Sequence, residues 1–160
     1  STSGSVILKR KCIGYRGLEF WQYKFRTAHN EEKDDMFDHL ALHSENNHNR
    51  QDVFPFGRFL KKVSLDKFPQ LINVLKGEMN LIGPYAYSES WTNYFNNIFR
   101  DFYKRYSVRP GITGLAQINK CVIDSKEIAS ITDILSSDIE YVRTKKKYKD
   151  SWLFIKSIFC

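Results

Sequence analysis

The sequence predicts a mixed α/β (α+β) fold, in which a small β-hairpin or sheet is surrounded by amphipathic helices. Side chains alternate between apolar and polar over residues 21–26, which is the period of a strand, whereas apolar side chains recur at helical spacing over residues 91–106. The chain has 160 residues and is 42% hydrophobic, which is enough for one domain with a sizeable core. We therefore expect a single domain spanning residues 1–160.

The first two elements are predicted to be the strands of a hairpin. An apolar run at residues 6–8 leads through basic residues to a turn containing Gly14, and residues 20–26 form the returning strand. Side chains two apart on a strand share a face, so Lys24 and Arg26 are expected to point the same way. Residues 28–52 are polar and are predicted to form an excursion with a short helix inside it.

Two short helices are predicted to follow this excursion. The first begins at Gly57 and carries an apolar face over residues 59–63. Ser64 is a candidate side-chain N-cap for the second helix, whose apolar run at 71–75 ends at Gly77.

Residues 91–106 are predicted to form one amphipathic helix with an aromatic stripe, ended by the Arg-Pro-Gly run at 109–111. Burial of large apolar side chains contributes roughly 1.5–3 kcal/mol apiece, which favours a stripe that lies in the core. Trp and Tyr flanked by Arg and Lys also suit a helix in a membrane interface, and the lysine-rich, aromatic tail at 145–159 supports that alternative. Residues 131–142 are predicted to form a further helix.

The charge pattern favours an anionic partner. The formal net charge is +7 and the pI is near 9.3, and residues 1–30 and 143–160 each carry six basic side chains against one acidic side chain. Phosphate groups and an anionic membrane surface both fit this pattern. We expect no nucleic-acid partner, because the chain has no nucleic-acid recognition motif.

Disulfides, zinc sites and membrane-spanning helices are all disfavoured. The three cysteines form no close pair, and no apolar run reaches 18 residues. Asp35, His39 and His43 are spaced by four, as ligands on one helical face would be. Their polar surroundings favour a solvated helix instead, so no metal ligand is assigned there.

Asp66 is the candidate catalytic residue, because a carboxylate near a helix N-terminus is held ionised and can act as a nucleophile on phosphorus. The alternative is that Asp66 only complements the helix start. Basic side chains can neutralise a diphosphate, although they can equally form an ordinary solvated surface. The phosphate-binding candidates are Lys24, Arg26, Arg58, Lys61, Lys62 and Arg109.

Five motifs in a fixed order resemble the bacterial sugar transferases, which are monotopic, membrane-associated phosphoglycosyl transferases. The similarity extends from residue 4 to about residue 142. The motifs are Y-K-F-R-T at 23–27, G-R-F-L at 57–60, S-L-D-K-F-P-Q-L-I-N-V-L-K-G-E-M at 64–79, R-P-G-I-T-G-L-A-Q-I-N at 109–119 and D-I-E-Y-V at 138–142.

The resemblance implies a two-step transfer of a sugar phosphate from a UDP-sugar to polyprenyl (undecaprenyl) phosphate, initiating polysaccharide or glycoconjugate assembly. Asp66 is the implied nucleophile, Lys67 occupies the second catalytic position, Gln117 joins the nucleotide-binding and phosphate-binding residues, and Mg²⁺ is the implied cofactor. The implied location is the cytoplasmic face of the bacterial inner membrane. A hydrophobic re-entrant membrane segment would precede Ser1, so we expect the sequence to lack it.

The chain departs from the family at the implied phosphate site. Lys67 replaces the acidic residue that follows the nucleophile, and Tyr85 and Ala86 replace the Arg and Pro of the family's G-P-R-P. Losing a charge-compensating group costs about 10²–10³ in rate. The alternative to a working enzyme is therefore a catalytically degenerate member that acts as a membrane-associated, non-enzymatic partner.

Overall fold

The computed structural model describes residues 5–28, 53–120, 129–145, 150–153 and 155, without the side chains of 117, 119–120 and 129–131. The predicted polar excursion, with its four histidines, and most of the basic tail lie outside the described residues. Within the described part, none of the helices is both long enough and apolar enough to cross a bilayer.

The elements follow one another in a mixed order that confirms the predicted α+β class. Three 3-10 segments, Tyr15–Gly17, Leu65–Gln70 and Phe102–Ser107, separate some of the strands and α-helices. The strands and α-helices are β1 (Ile7–Ile13), β2 (Glu19–Phe25), α1 (Pro55–Lys62), α2 (Leu71–Leu75), β3 (Asn80–Ile82), α3 (Glu89–Ile98), β4 (Gly111–Thr113), α4 (Leu115–Lys120) and α5 (Ala129–Thr144).

The predicted hairpin is confirmed. β1 and β2 pair antiparallel over their full length, from Ile7 opposite Phe25 to Ile13 opposite Glu19. The chain reverses through Arg16 and Gly17, whose φ angles of 59° and 75° lie in the left-handed region. The short, tight reversal fixes the register of the two strands.

A second, two-stranded sheet pairs β3 with β4 in parallel. Its backbones approach so closely at Gly83 and Gly111 that side chains would collide there: a Cβ on Gly83 would lie 2.5 Å from the carbonyl oxygen of Arg109. Glycine is therefore required at both positions by space. The close approach holds Arg109 and Pro110 beside the end of β3.

The prediction of one continuous helix over residues 91–106 is wrong. Helix α3 ends at Ile98, Phe99 is extended with φ −109° and ψ 109°, and Phe102–Ser107 forms a separate 3-10 segment. The break lets both Phe95 and Phe102 pack against the same buried Tyr87, with ring centroids 5.3 and 5.7 Å away.

The core interpretation of the aromatic stripe holds for five of its eight members. Phe95 and Phe102 are buried, and the partly buried rings packed around them are Trp91, Phe99 and Tyr106. The side chains of Tyr94, Ile98 and Tyr103 remain exposed. Each of the two segments therefore has one side in the core and one at the surface.

A buried ion pair joins the aromatic core to helix α5. Arg105 is 6% exposed and Asp138 is 1% exposed, and two guanidinium nitrogens of Arg105 lie 3.1 and 2.9 Å from Oδ2 of Asp138. Arg105 also donates to the carbonyl oxygen of Tyr85, whose amide lies 3.3 Å from the same carboxylate. Two residues 33 positions apart thus fix the loop that follows β3.

Removing the carboxylate of this pair is expected to destabilise the protein strongly. In Asp138→Ala the buried Arg105 loses its counter-ion, which we expect to lower the free energy of unfolding by about 3–5 kcal/mol. Replacing both charges, in Asp138→Ala with Arg105→Met, should recover much of that loss. Urea denaturation measures both, and a double variant as unstable as the sum of the single ones would contradict this account.

Candidate active site

A sharp turn in the chain presents Asp66. After α1 the backbone passes through Ser64 in the left-handed conformation (φ 56°, ψ 19°) and enters Leu65–Gln70, which we call the Asp66 segment. The predicted side-chain cap is wrong: Ser64 makes no cap hydrogen bond, because a capping serine needs an extended backbone. The amide of Lys67 instead donates to the carbonyl oxygen of Ser64 at 3.4 Å.

Lysines surround the half-buried carboxylate of Asp66. Strand β2 and helix α1 both pack against the Asp66 segment, so Lys24, Lys61 and the adjacent Lys67 act electrostatically on Asp66. Burial nevertheless raises the pKa of Asp66 above its ordinary value, and the three lysines only oppose that rise. The sequence predicts that Asp66 is held ionised at the start of a helix, and this expectation is corrected, because desolvation of the site raises its pKa.

Lys67 shares this environment. It is half-buried in the Asp66 segment, and burial lowers its pKa although the charge of Asp66 opposes that shift. An anionic nucleophile beside several ammonium groups suits reaction at a phosphorus that carries negative oxygens.

The other predicted site residues are more widely distributed. Arg58 and Lys62 are exposed on α1, and the Nε of Arg26 donates to the carbonyl oxygen of Ala28 at 3.1 Å. The guanidinium of Arg109 lies over the ring of Tyr15, 5.8 Å from its centroid. Gln117 belongs to α4, and its side chain lies outside the described part of the structure.

Asn73 is a buried residue of the site region that the sequence analysis did not single out. Its side chain is fully buried and hydrogen-bonds to the backbone along one edge of β2. Nδ2 donates to the carbonyl oxygen of Trp21 at 2.7 Å, and Oδ1 accepts from the amide of Tyr23 at 3.2 Å. The second Nδ2 hydrogen is taken up by Glu78, whose Oε2 lies 2.6 Å away.

The hydrogen bonds of Asn73 hold the Asp66 segment beside strand β2. Asn73 lies in α2, directly after the Asp66 segment, and its side chain bonds the backbone of Trp21 and Tyr23 in β2, the second of which directly precedes Lys24. An amide side chain can satisfy one exposed donor and one exposed acceptor of a strand edge at once. The sequence signal that could have revealed it is a lone polar residue in the apolar run at 71–75.

Exposed apolar side chains lie on α1, on the Asp66 segment and on α2. Leu75 is 88% exposed, Phe56 is 66% exposed and Phe68 is 60% exposed. Side chains of this size rarely cluster at a water-facing surface without a binding partner. We call this set the apolar rim, and its members are Phe56, Phe59, Val63, Leu65, Phe68, Ile72 and Leu75.

The described residues around Asp66 do not supply the ligands of a protein-held magnesium ion. Mg²⁺ prefers several oxygen ligands, commonly carboxylates. The side chains whose charges act on Asp66 are lysines, and the described residues include no cluster of three or more His, Cys, Asp or Glu that could hold a metal. The magnesium expectation therefore finds no donor set in the described part of the site.

Comparisons with known proteins agree with the motif pattern. A family model described as bacterial sugar transferase matches residues 1–160. The chain is 28% identical to a UDP-glucose:undecaprenyl-phosphate glucose-1-phosphate transferase of Caulobacter vibrioides, with coverage of 97% of the chain and 56% of the relative. A protein of the same name from Escherichia coli is 30% identical, with coverage of 99% and 32%.

The exopolysaccharide production protein ExoY of Rhizobium meliloti is also 30% identical, with coverage of 99% of the chain and 70% of the relative. The chain spans only 28% to 56% of the length of the first curated relatives that it matches. The shared region is thus one part of several longer proteins.

Substituting Asn73 tests the contribution of its hydrogen bonds to β2. Asn73→Leu leaves the carbonyl of Trp21 and the amide of Tyr23 unpaired, so we expect the free energy of unfolding to fall by about 2–4 kcal/mol. The amide of Tyr23 should also lose its hydrogen-exchange protection selectively, which NMR measures residue by residue.

A matched control is Thr92→Val, since the buried hydroxyl of Thr92 has no hydrogen-bond partner among the described residues. We expect it to be nearly neutral. Asn73→Asp should lose stability through repulsion from Glu78, and a further Glu78→Gln should recover part of that loss. Unchanged exchange at Tyr23 in Asn73→Leu would refute this contribution.

Proposed function

The chain belongs to the bacterial sugar transferase family, and on that premise we propose that it transfers a sugar 1-phosphate from a UDP-sugar to polyprenyl phosphate, with Asp66 as the covalent nucleophile. The names of relatives describe transfer to undecaprenyl phosphate, of glucose 1-phosphate in several and of N-acetylgalactosamine phosphate in another. The proposed product is the lipid-linked sugar that begins a polysaccharide.

The reaction proceeds in two displacements at one phosphorus. A carboxylate oxygen of Asp66 attacks the β-phosphorus of the UDP-sugar, the bond to the bridging oxygen breaks, and UMP leaves with that oxygen. An oxygen of polyprenyl phosphate then attacks the same phosphorus. The bond to Asp66 breaks, the carboxylate is regenerated, and a polyprenyl diphosphate sugar forms.

The single observation that carries this proposal is the half-buried carboxylate of Asp66 among Lys24, Lys61 and Lys67. An attack on a diphosphate requires a nucleophile and compensation for the charge of the non-bridging oxygens, and this cluster offers both. Arg26, Arg58, Lys62, Arg109 and Gln117 are proposed as further contacts to the phosphates and the nucleotide.

The apolar rim supports a position at a membrane surface. Its exposed aromatic and aliphatic side chains alternate along the chain with Arg58 and Lys62, a combination suited to anionic lipid. We propose that this face meets the cytoplasmic side of the bacterial membrane, from which the polyprenyl phosphate reaches Asp66. One domain covering residues 1–160 is part of the same proposal.

The second candidate function is that of a catalytically degenerate, non-enzymatic partner of other glycan enzymes. The observation that favours it is the lysine at position 67, where a working relative would carry an acid. The same assay separates the two candidates, because a degenerate protein would release no UMP from any sugar donor.

Substituting the nucleophile tests the transferase. In the full-length protein, reconstituted in membranes with undecaprenyl phosphate, Asp66→Asn is expected to lower UMP release from a panel of UDP-sugars by at least about 10³-fold. Without the lipid acceptor, a radiolabelled sugar phosphate should attach to the protein with Asp66 and not to Asp66→Asn.

Asp101→Asn is the matched control, because Asp101 is a partly exposed aspartate whose partner is Lys104 at the surface. Its substitution should leave UMP release unchanged. UMP release that survives Asp66→Asn would exclude Asp66 as the nucleophile. A folded protein with no release from any donor would favour the degenerate candidate.

The pH dependence of the rate should reflect the environment of Asp66. The nucleophile must be ionised, and burial raises its pKa above the ordinary value of 3.8, so the rate should fall on acidification at a higher pH than for a solvated aspartate. Lys24→Met removes one opposing positive charge and should move this acid limb to still higher pH.

The readout is kcat against pH for the protein, for Lys24→Met and for Lys104→Met. Lys104 pairs with Asp101 at the surface, so Lys104→Met should leave the limb where it is. An acid limb that moves to lower pH in Lys24→Met would contradict the electrostatic account.

A further inference from the structure

The positive charges of the lysines that act on Asp66 bear on whether the site binds a divalent metal ion. Lys67 neighbours Asp66 in the Asp66 segment, Lys61 lies on the packed helix α1, and Lys24 lies on the packed strand β2. Their charges all act on the carboxylate of Asp66 and oppose its protonation. Positive charge beside a carboxylate weakens the attraction of that carboxylate for a divalent cation.

The position of Lys67 gives it a specific part in this arrangement. Asp66 and Lys67 are consecutive and half-buried, so both lose part of their hydration, and their charges act on each other. Charge–charge interactions are stronger there than in water. A phosphate attacked by Asp66 would therefore meet a fixed positive charge without any metal ion.

In phosphoryl transfer, a metal ion neutralises charge on the non-bridging oxygens and holds the phosphate in place. Ammonium groups supply the same electrostatic compensation, although as point charges with less directional binding. Lys67 lies in the same segment as Asp66, and Lys61 and Lys24 lie on two elements packed against it, so three elements carry the positive charge that acts on Asp66.

We infer that Lys67, with Lys24 and Lys61, takes the place of the divalent cation, so that this chain binds its nucleotide sugar and transfers the sugar phosphate without a protein-held metal ion. The inference rests on the proposed function and deepens it at the same site. On this inference Lys67 contributes to the reaction. On the degenerate candidate, the same lysine is the reason for lost activity.

The test compares metal dependence in the full-length protein and in Lys67→Glu. UMP release by the unsubstituted protein should change by less than about twofold between excess EDTA and added Mg²⁺, because the lysines supply the compensating charge. Lys67→Glu should lose about 10²-fold in EDTA and recover most of the activity with Mg²⁺. Lys67→Met, which removes the charge without adding a ligand, should lose activity that Mg²⁺ does not restore.

Calorimetric titration provides a readout that is independent of turnover. UDP should bind the unsubstituted protein equally with EDTA and with Mg²⁺, whereas Lys67→Glu should bind UDP more tightly with Mg²⁺. Lys104→Met controls for the general loss of one surface lysine, and circular dichroism checks that each variant is folded.

The outcomes separate this inference from the proposed function. A protein that releases no UMP but binds UDP without Mg²⁺ would overturn the transferase and support the metal-free site. If UMP release requires Mg²⁺, or if UDP binding requires it in a protein that shows no turnover, the inference of a metal-free site is overturned. The proposal that the donor is a UDP-sugar would still stand.

Discussion

The arrangement of the site depends on one buried carboxamide. A two-stranded sheet leaves donors and acceptors exposed along its edges, and Asn73 satisfies one of each on β2. Asn73 follows the Asp66 segment in the chain. Its hydrogen bonds to β2 therefore hold the Asp66 segment beside the strand that carries Lys24. The carboxylate of Glu78 completes the hydrogen bonding of the same amide and orients it.

A second buried polar contact organises the other half of the molecule. The ion pair between Arg105 and Asp138 is enclosed by aromatic rings, and the guanidinium carbon lies 4.4 Å from the ring centroid of Tyr87. Burial raises the pKa of Asp138 to about 6 against the opposing charge of Arg105. Asn73 thus bonds the edge of a two-stranded sheet, whereas Arg105 and Asp138 bond the backbone of Tyr85 in the loop after β3.

The chemistry of the site follows from the three lysines that act on the half-buried carboxylate of Asp66. Desolvation favours the protonated form of Asp66 and the neutral form of Lys67, whereas their mutual attraction favours the charged pair. The balance raises the pKa of Asp66 above its ordinary value, in a site with positive charge nearby. Such a site suits the negatively charged phosphate of the substrate that we propose.

The sequence by itself determined the features that depend on local pattern. Alternation gave the hairpin, helical spacing gave α5, and the motif around Asp66 gave the family and the lysines that flank the candidate nucleophile. Periodicity is a property of neighbouring residues, so a single chain reveals it directly. The aromatic stripe is an exception, because its helical spacing continues through Phe99 although the helix ends at Ile98.

Only the tertiary structure decided which distant groups meet and how much water they lose. The contact of Asn73 with β2 spans about fifty residues, and the ion pair of Arg105 with Asp138 spans 33. The left-handed turn at Ser64 and the raised pKa of Asp66 likewise follow from packing. Burial is a property of the whole fold, and it outweighs the nearby lysine charges that are visible in the sequence.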